Sequence, residues 1–333
     1  MSDPRADSAR RALDGPAPDR DEAIALADTA RDRPIELIHQ AWQIRRARFG
    51  RRVSLCAIVP GKLGGCGEDC AFCAQSARRG GGAAKSTRTP TEQIVAAAAD
   101  ARRNGAARIG IVNSGRRPSE ADLVAVCDAA AAIAASTPIA LCASLGELTG
   151  EQARALAAAG VRRYNHNLET CRRLHPRIVT THTFDDRLRT LAACRRAGLE
   201  VCCGGIFGVG ETWADRADLA LALRDEVRPR TVPINFLHPI PGTPLAGATP
   251  LRPLEALAVI ALFRLLLPDA DIKVAGGREA VLRDLQSWMF HAGATSAIVG
   301  DYLTTAGRAA ADDLRMIADL DLELTDDLRA APS

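Results

Sequence analysis

Eight short apolar segments, each followed by a segment with helical periodicity, constrain the fold of this 333-residue chain more than any other feature. The candidate strands are residues 53–58, 108–112, 139–143, 161–164, 200–202, 231–236, 271–275 and 296–299. Candidate helices lie at 91–104, 120–135, 149–159, 184–197, 212–225, 253–267 and 280–292. Strands that alternate with helices form parallel sheets with right-handed crossovers. Eight such units predict an α/β fold of the TIM type, a (β/α)8 barrel; a doubly wound open sheet is the alternative.

The two ends of the chain lie outside this repeating pattern. Residues 34–49 place apolar side chains at helical spacing, which predicts an N-terminal helix before the barrel. Residues 1–20 are rich in Asp, Arg, Pro and Ala and contain no apolar run, so we expect a disordered tail there. One barrel domain is expected over residues 21–320, followed by a loose acidic tail over residues 321–333.

Charge and hydropathy argue against several classes of function. The net charge is only +3 and no Lys/Arg block runs along one segment, so we expect neither a nucleic-acid partner nor a membrane role. The sequence shows no secretory signal and no apolar stretch of membrane-spanning length, which predicts a cytoplasmic protein. In the reducing cytoplasm, the ten cysteines are expected to be metal ligands, catalytic thiols or small core residues rather than members of disulfide bonds.

Cys66, Cys70 and Cys73 form a Cys-x3-Cys-x2-Cys sequence in the loop after the first candidate strand. Three thiolates at this spacing can hold three irons of a cubane cluster, and the open fourth iron can bind amino and carboxylate groups. Structural zinc sites usually take four protein ligands, and ferredoxin-type clusters use four cysteines at other spacings. The sequence therefore predicts a [4Fe–4S] cluster here; a structural metal loop is the alternative.

This loop and seven further stretches resemble the radical S-adenosylmethionine superfamily and, within it, the biotin synthase family. One of them is Tyr-Asn-His-Asn-Leu-Glu-Thr at 164–170. Each stretch falls at or just after the carboxyl end of a candidate strand, the face where barrel enzymes carry out their chemistry. The resemblance extends over residues 56–305, and the matching stretches are 66–76, 164–170, 201–206, 208–212, 232–235, 241–244, 275–278 and 303–305.

The resemblance implies an enzyme that inserts sulfur into dethiobiotin to form biotin. In the family, a reduced [4Fe–4S] cluster cleaves S-adenosylmethionine to a 5′-deoxyadenosyl radical, and an auxiliary iron–sulfur cluster donates the sulfur. A flavodoxin- or ferredoxin-type electron donor and a homodimer are also implied. The alternatives are a radical enzyme of the same barrel type that acts on another small substrate, and a non-catalytic iron–sulfur carrier.

The resemblance also implies roles for individual residues. Cys66, Cys70 and Cys73 match the ligands of the [4Fe–4S] cluster. Residues matched to S-adenosylmethionine are Phe72, Asn167, Glu169 (where the family usually has Asp), Arg187, Gly208 and Gly210. Those matched to dethiobiotin are Asn165, Asn167, Asn235, Thr304 and Thr305. As alternatives, Asn165 and Asn235 cap strand ends, Arg187 is a solvated helix residue, and the glycines serve only loop flexibility.

The auxiliary site departs from the well-known form of the family, which holds a [2Fe–2S] cluster with three cysteines and one arginine. Two of those cysteines match Cys142 and Cys202, but the third position is Gly110 and the arginine position is Lys273. Our hypothesis is that Cys56, on the first strand, joins Cys142 and Cys202 around a different auxiliary cluster, for example a four-iron type. The alternative is that Cys56 is a small buried apolar residue.

Overall fold

The computed structural model describes residues 8–78, 85–303 and 307–328, and this part of the chain contains a closed parallel barrel of eight strands. In the described residues the strands are β1 Arg52–Leu63, β2 Thr87–Arg88, β3 Ala106–Asn113, β4 Ala140–Ser144, β5 Val161–Asn165, β6 Glu200–Cys202, β7 Gly205–Phe207, β8 Thr231–Phe236, β9 Asp271–Val274, β10 Ser296–Ile298 and β11 Glu323–Leu324.

Pairing around the barrel follows chain order. The strands run β1-β3-β4-β5-β6-β8-β9-β10, all parallel, and β10 pairs with β1 to close the circle. β7 continues beyond β6 and pairs with β8, so these two short strands together occupy one position in the barrel. In an open sheet β1 and β10 would be edge strands that do not pair with each other. Their pairing therefore confirms the predicted (β/α)8 fold. The carboxyl ends of all eight strands consequently face one end of the barrel.

The helices surround this barrel. Those of the described residues are α1 Ser8–Asp14, α2 Arg20–Asp32, α3 Pro34–Phe49, α4 Thr91–Arg103, α5 Glu120–Ser136, α6 Gly150–Ala158, α7 His175–Ile178, α8 Phe184–Arg196, α9 Trp213–Ala222, α10 Pro253–Leu266, α11 Arg278–Leu282, α12 Trp288–His291 and α13 Ala310–Asp319. Capping boxes fix the starts of several of them, with N-cap residues Ser119, Thr149, Thr183 and Thr212.

Residues 8–20 differ from the disordered tail expected over residues 1–20. Helix α1 occupies Ser8–Asp14, and α2 begins at Arg20 behind an Asp19 capping box. The helix α2 buries alanines at a helical spacing, namely Ala23, Ala27 and Ala30. Such small side chains give a weak hydrophobic signal in the sequence, although they let helices approach closely.

Residues 321–328 also differ from the loose tail expected over residues 321–333, whose last five residues lie outside the described part of the chain. Strand β11 pairs in parallel with the start of β1, and Leu328 is buried. Asp326 pairs with Arg102 at 2.8 Å, and Asp327 pairs with Arg230 at 3.2 Å. The acidic side chains that suggested a solvated tail therefore meet arginines on the barrel, at the end opposite the carboxyl ends of its strands.

Two predicted helices are interrupted. The segment predicted as one helix over 280–292 contains α11, a 3-10 turn at Arg283–Leu285 and α12, with φ of +50° at Arg283. Helix α9 passes into a π-helical turn at Leu223–Val227.

Helix α13 packs through a buried ion pair in which Arg278 Nη2 lies 2.8 Å from Asp313 Oδ2. Among the described residues, no helix has the length and apolar character needed to cross a bilayer.

Candidate active site

The loop that carries the three cysteines begins directly after β1. Gly64 and Gly65 adopt φ of +73° and +63°, which turns the chain sharply away from the strand. The carbonyl of Cys66 accepts the N–H of Ala77 at 2.8 Å, and the carbonyl of Cys70 accepts the N–H of Cys73 at 3.1 Å. Backbone hydrogen bonds therefore fold the loop back on itself, and they hold the three cysteines on one short segment.

Two acidic residues of this loop anchor it to the segment before α8. The carboxylate of Asp69 accepts the backbone N–H of Thr180 at 2.9 Å and the hydroxyl of Thr180 at 2.5 Å. Glu68 accepts the hydroxyl of Thr181 at 2.8 Å and pairs with His182. Burial opposes ionisation of Asp69, but the hydrogen bonds from Thr180 and Thr181 outweigh it and hold its pKa well below the usual range.

A cavity of about 260 Å³ opens beside the cysteine loop, at the carboxyl ends of the barrel strands. Its lining includes the three cysteines predicted to hold the [4Fe–4S] cluster and half of the residues predicted to bind S-adenosylmethionine or substrate. They are Cys66, Cys70 and Cys73, and Phe72, Asn165, Asn167, Glu169 and Arg187. Two buried polar atoms in its wall, Asn113 Oδ1 and His166 Nε2, have no hydrogen-bond partner among the described residues. Unsatisfied buried polar groups of this kind fit a cavity that takes a polar ligand.

Asn167, Glu169 and Arg187 form one electrostatic group in this wall. Arg187 Nη1 donates to the backbone carbonyl of Asn167 at 2.6 Å and lies 3.6 Å from Glu169 Oε1. Burial raises the pKa of Glu169, although Arg187 and the amide of Asn167 oppose that shift. Burial likewise raises the pKa of the Cys70 thiol. Arg187 is buried, so the alternative of a solvated helix residue is excluded.

The backbone behind this group is packed without space for side chains. The carbonyl of Gly204 accepts the N–H groups of Leu168 and Glu169 at 3.0 and 3.2 Å, and its own N–H donates to Asn167 Oδ1 at 3.2 Å. A Cβ at Gly204 would lie 1.9 Å from the carbonyl oxygen of Pro233. Glu169 itself has φ of +69°, a left-handed conformation that this close packing imposes.

Other predicted site residues lie apart from the cavity wall. The Asn235 amide donates to the carbonyl of Gly205 at 3.1 Å and accepts the N–H of Gly276 at 3.0 Å, so it links neighbouring strand ends. The N–H of Gly208 is bound by Glu211 at 2.9 Å, and Gly210 has φ of +100°. Neither glycine lines the cavity. Thr304 and Thr305 lie outside the described residues, although Leu303 lines the cavity.

A second group of cysteines lies inside the barrel. Cys56, Cys142 and Cys202 stand on β1, β4 and β6, and all three are buried. Lys273 reaches them from β9, with Nζ 3.6 Å from Cys202 Sγ and 4.0 Å from Cys56 Sγ. Burial opposes the charge of Lys273, but Cys202, Cys56 and Cys142 raise its pKa above the ordinary value. Asn165 also donates to Cys202 Sγ, at 3.4 Å.

Gly110 faces this group from β3, in register with Cys142. A Cβ added at Gly110 would lie 3.7 Å from Cys142 Cβ and 3.6 Å from Ile58 Cγ2, which is ordinary van der Waals contact. Cys203, the residue after Cys202, belongs to the hydrophobic core. Within residues 8–78, 85–303 and 307–328, no group of His, Cys, Asp and Glu is arranged around a single metal ion. A cubane cluster binds each of its cysteines through a different iron, so its ligands need not converge on one point.

Several residues that line the cavity were not predicted from the sequence. Glu68 and His182 line the cavity with Arg116 and Glu147, whose side chains pair at 3.2 Å. Ser144 adds a hydroxyl-bearing side chain at the end of β4. Their positions in the sequence could have indicated them, because polar residues at the carboxyl ends of barrel strands, or next to the cysteines, are expected to be close to the site.

The structure is similar to solved structures with the same barrel. Methylornithine synthase superposes with a TM-score of 0.81 at 18% identity, covering 96% of this chain and 97% of that chain. HydG, a maturase of the [FeFe]-hydrogenase, gives a TM-score of 0.81 at 15% identity, covering 96% of this chain and 75% of that chain. At these identities the likeness shows the shared fold alone.

The fold and the cysteine loop together define a barrel enzyme of the radical S-adenosylmethionine superfamily. The family model described as Radical SAM superfamily matches residues 62–223. The Biotin and Thiamin Synthesis associated domain matches residues 233–323. Relatives named biotin synthase include those of Syntrophotalea carbinolica, 52% identical over 85% of this chain and 86% of the relative, and Trichlorobacter lovleyi, 48% identical over 95% of both. The chain belongs to the biotin synthase family, and its cofactors are a [4Fe–4S] cluster and S-adenosylmethionine.

Proposed function

We propose that this chain converts dethiobiotin into biotin in the cavity beside the cysteine loop. The observation that carries the proposal is the convergence of Cys66, Cys70 and Cys73 with Asn167, Glu169 and Arg187 around one cavity of about 260 Å³. When bound, the clusters supply the electron that splits S-adenosylmethionine and the sulfur that enters the product. The protein's own contribution is to position the ligands and to exclude water from them.

The charged and polar side chains of the cavity wall suggest where each part of S-adenosylmethionine would bind. Arg187 is the buried cation of the wall and would bind the methionyl carboxylate, since guanidinium and carboxylate groups match in charge and geometry. Glu169 and the Asn167 amide are the acceptors and donors suited to ribose hydroxyls. Phe72 contributes an apolar surface for the adenine next to the cysteine loop.

Dethiobiotin would lie deeper, towards the second cysteine group. Asn165 lines the cavity and donates to Cys202 Sγ at 3.4 Å, so it stands between the two sites. Its amide suits the ureido ring of the substrate. Asn235 uses its amide on the backbone of neighbouring strand ends, which favours a role in shaping the site over direct contact. Thr304 and Thr305 remain predicted contacts of the substrate carboxylate.

A second part of the proposal is that Cys56, Cys142 and Cys202 hold the auxiliary cluster. Among the described residues, Lys273 pairs with no carboxylate, and both of its hydrogen bonds go to sulfur atoms. A buried ammonium without a compensating negative charge is strongly destabilising. Thiolates or an anionic cluster supply that charge, whereas three neutral thiols do not. This argues against Cys56 as a merely apolar core residue. The four-iron type is proposed from the altered ligand set alone, since the charge of Lys273 suits any anionic cluster.

The conversion is tested with anaerobically reconstituted enzyme, a reductant, S-adenosylmethionine and dethiobiotin. Formation of both 5′-deoxyadenosine and biotin supports the proposal. Deoxyadenosine without biotin would indicate another substrate, and neither product would indicate an iron–sulfur carrier. Cys66→Ala is expected to abolish both products, while Cys127→Ala, a half-buried cysteine on α5, should retain them.

Iron and sulfide analysis of Cys56→Ala tests the auxiliary site separately. We expect this variant to lose the auxiliary iron and to keep the first cluster, with the Cys127→Ala protein as the matched control. If Cys56→Ala and the wild type carry the same auxiliary cluster, the assignment of Cys56 is wrong. From the family alone we also propose a cytoplasmic homodimer that receives electrons from a flavodoxin- or ferredoxin-type donor, which size-exclusion chromatography and donor-dependent cluster reduction would test.

A further inference from the structure

A buried chain of three side chains connects the cysteine loop to Arg187. Glu68, located between Cys66 and Cys70, pairs through its carboxylate with Nδ1 of His182. On the other side of the ring, Nε2 of His182 lies 3.0 Å from Nε of Arg187. Glu68, His182 and Arg187 are 7%, 8% and 8% exposed, so water competes little for these contacts.

The chemistry of the three groups fixes the direction of these hydrogen bonds. An arginine Nε–H can only donate, so Nε2 of His182 must accept and the ring proton must lie on Nδ1, which donates to Glu68. Burial and the charge of Arg187 both lower the pKa of His182, consistent with the neutral ring that this arrangement needs. Thr181 donates its hydroxyl to the same oxygen of Glu68 at 2.8 Å and so restrains that carboxylate.

These contacts leave one nitrogen of Arg187 for a ligand. Nε is bound by His182, and Nη1 donates to the carbonyl of Asn167 at 2.6 Å. Within the described part of the chain, Nη2 makes no hydrogen bond, and Arg187 lines the cavity. The two hydrogen bonds therefore fix the orientation of the guanidinium group relative to the cavity.

We propose that His182 is a positioning residue that sets the orientation of Arg187 towards the carboxylate of S-adenosylmethionine. This rests on the role proposed above for Arg187. Through Glu68, the same chain links the orientation of Arg187 to the loop that carries Cys66 and Cys70. A side chain at position 182 that cannot accept from Arg187 leaves the guanidinium free to rotate, and the oriented donor is lost before the ligand arrives.

The test measures ligand binding without turnover. Reconstituted holoenzyme is dialysed to equilibrium without reductant against radiolabelled S-adenosylmethionine or against its decarboxylated analogue. We expect His182→Leu to weaken binding of S-adenosylmethionine about tenfold or more, since a hydrogen bond to a charged group is being lost. Binding of the decarboxylated analogue should not change, because it lacks the group that Arg187 binds. His182→Gln, whose amide can accept and donate, should restore most of the affinity.

His175→Leu is the matched control, since its ring packs 5.5 Å from that of His182 but makes no hydrogen bond to Arg187. Iron content is measured on every variant, and His182→Phe replaces His182→Leu if the latter loses iron. Equal weakening of both ligands, or of neither, would overturn the proposal. If Arg187→Gln binds S-adenosylmethionine like the wild type, the assignment of Arg187 itself fails. If Arg187→Gln binds weakly and His182→Leu does not, only the positioning role fails.

Discussion

Replacement of Gly204 by alanine tests whether the backbone packing behind the cavity is as rigid as the structure indicates. The added Cβ would lie 1.9 Å from the carbonyl oxygen of Pro233 and 2.8 Å from its backbone N and C atoms. All of these neighbours are backbone atoms of β8, so no side-chain rotation can relieve the contact. Either β8 or the segment between β6 and β7 has to move.

The magnitude follows from what such a movement disrupts. Overpacking a well-packed core costs about 1–3 kcal/mol, and the three hydrogen bonds made by the backbone of Gly204 contribute roughly 1 kcal/mol each. The lower entropy of the unfolded alanine chain returns less than about 1 kcal/mol. We therefore expect Gly204→Ala to lose about 4 kcal/mol of unfolding free energy and, through Asn167 and Glu169, to bind S-adenosylmethionine more weakly.

Urea unfolding of the apoprotein measures the first effect, and equilibrium dialysis of the holoenzyme measures the second. Gly247→Ala is the control, because an added Cβ there would meet no atom within 4 Å, and its stability should stay within about 0.5 kcal/mol of the wild type. Should both variants unfold at the same urea concentration, the argument from close backbone packing is refuted.

Three further substitutions test other parts of the site and its support. Asp69→Asn should cost about 2 kcal/mol at neutral pH, because a charged acceptor of the Thr180 N–H and hydroxyl is lost. Since the pKa of Asp69 is lowered by folding, the urea-unfolding difference from the wild type should persist above about pH 4 and shrink as the pH falls further towards the lowered pKa. Tyr164→Phe should lose about 1–2 kcal/mol by the same assay, as its buried hydroxyl donates to the carbonyl of Gly146, in the loop after β4, at 2.6 Å; an unchanged midpoint would contradict this. Asp313→Leu leaves Arg278 without its buried partner and should lose about 3–5 kcal/mol, whereas wild-type stability would mean that the pair contributes nothing.

The sequence predicted the barrel well because each strand is largely buried and therefore reads as a short apolar run. The bounds of β6 and β8 match their predicted ranges, and the others differ by a few residues. The helices α1, α2 and α13 were missed for a physical reason. The buried side chains of α1 and α2 are alanines, which carry little apolar surface, and α13 buries Asp313 in its ion pair with Arg278 beside Met316 and Ile317, so none of the three segments contains a long apolar run.

The site was predictable as far as local spacing and strand order carry information. The cysteine loop was evident from its spacing, and the barrel topology explains why Asn167 and Arg187 share its cavity. The pairing of Glu68 with His182 was not predictable, because it joins residues 114 positions apart and no spacing rule connects them. The sequence also marked Lys273 as unusual, but its contact with Cys56 and Cys202 depends on the relative rotation of β1, β6 and β9.

The space at Gly110 bears on how auxiliary sites diversify. A Cβ at this position would make only ordinary van der Waals contacts with Cys142 and Ile58, so the backbone does not exclude a side chain there. Gly110→Cys together with Lys273→Arg would supply the three cysteines and one arginine that the resemblance implies for the well-known form, while Cys142 and Cys202 stay unchanged. If Cys56, Cys142 and Cys202 hold the auxiliary cluster as proposed, a chain with these two substitutions would carry four cysteines at that site and would hold the expected ligands of both forms at once.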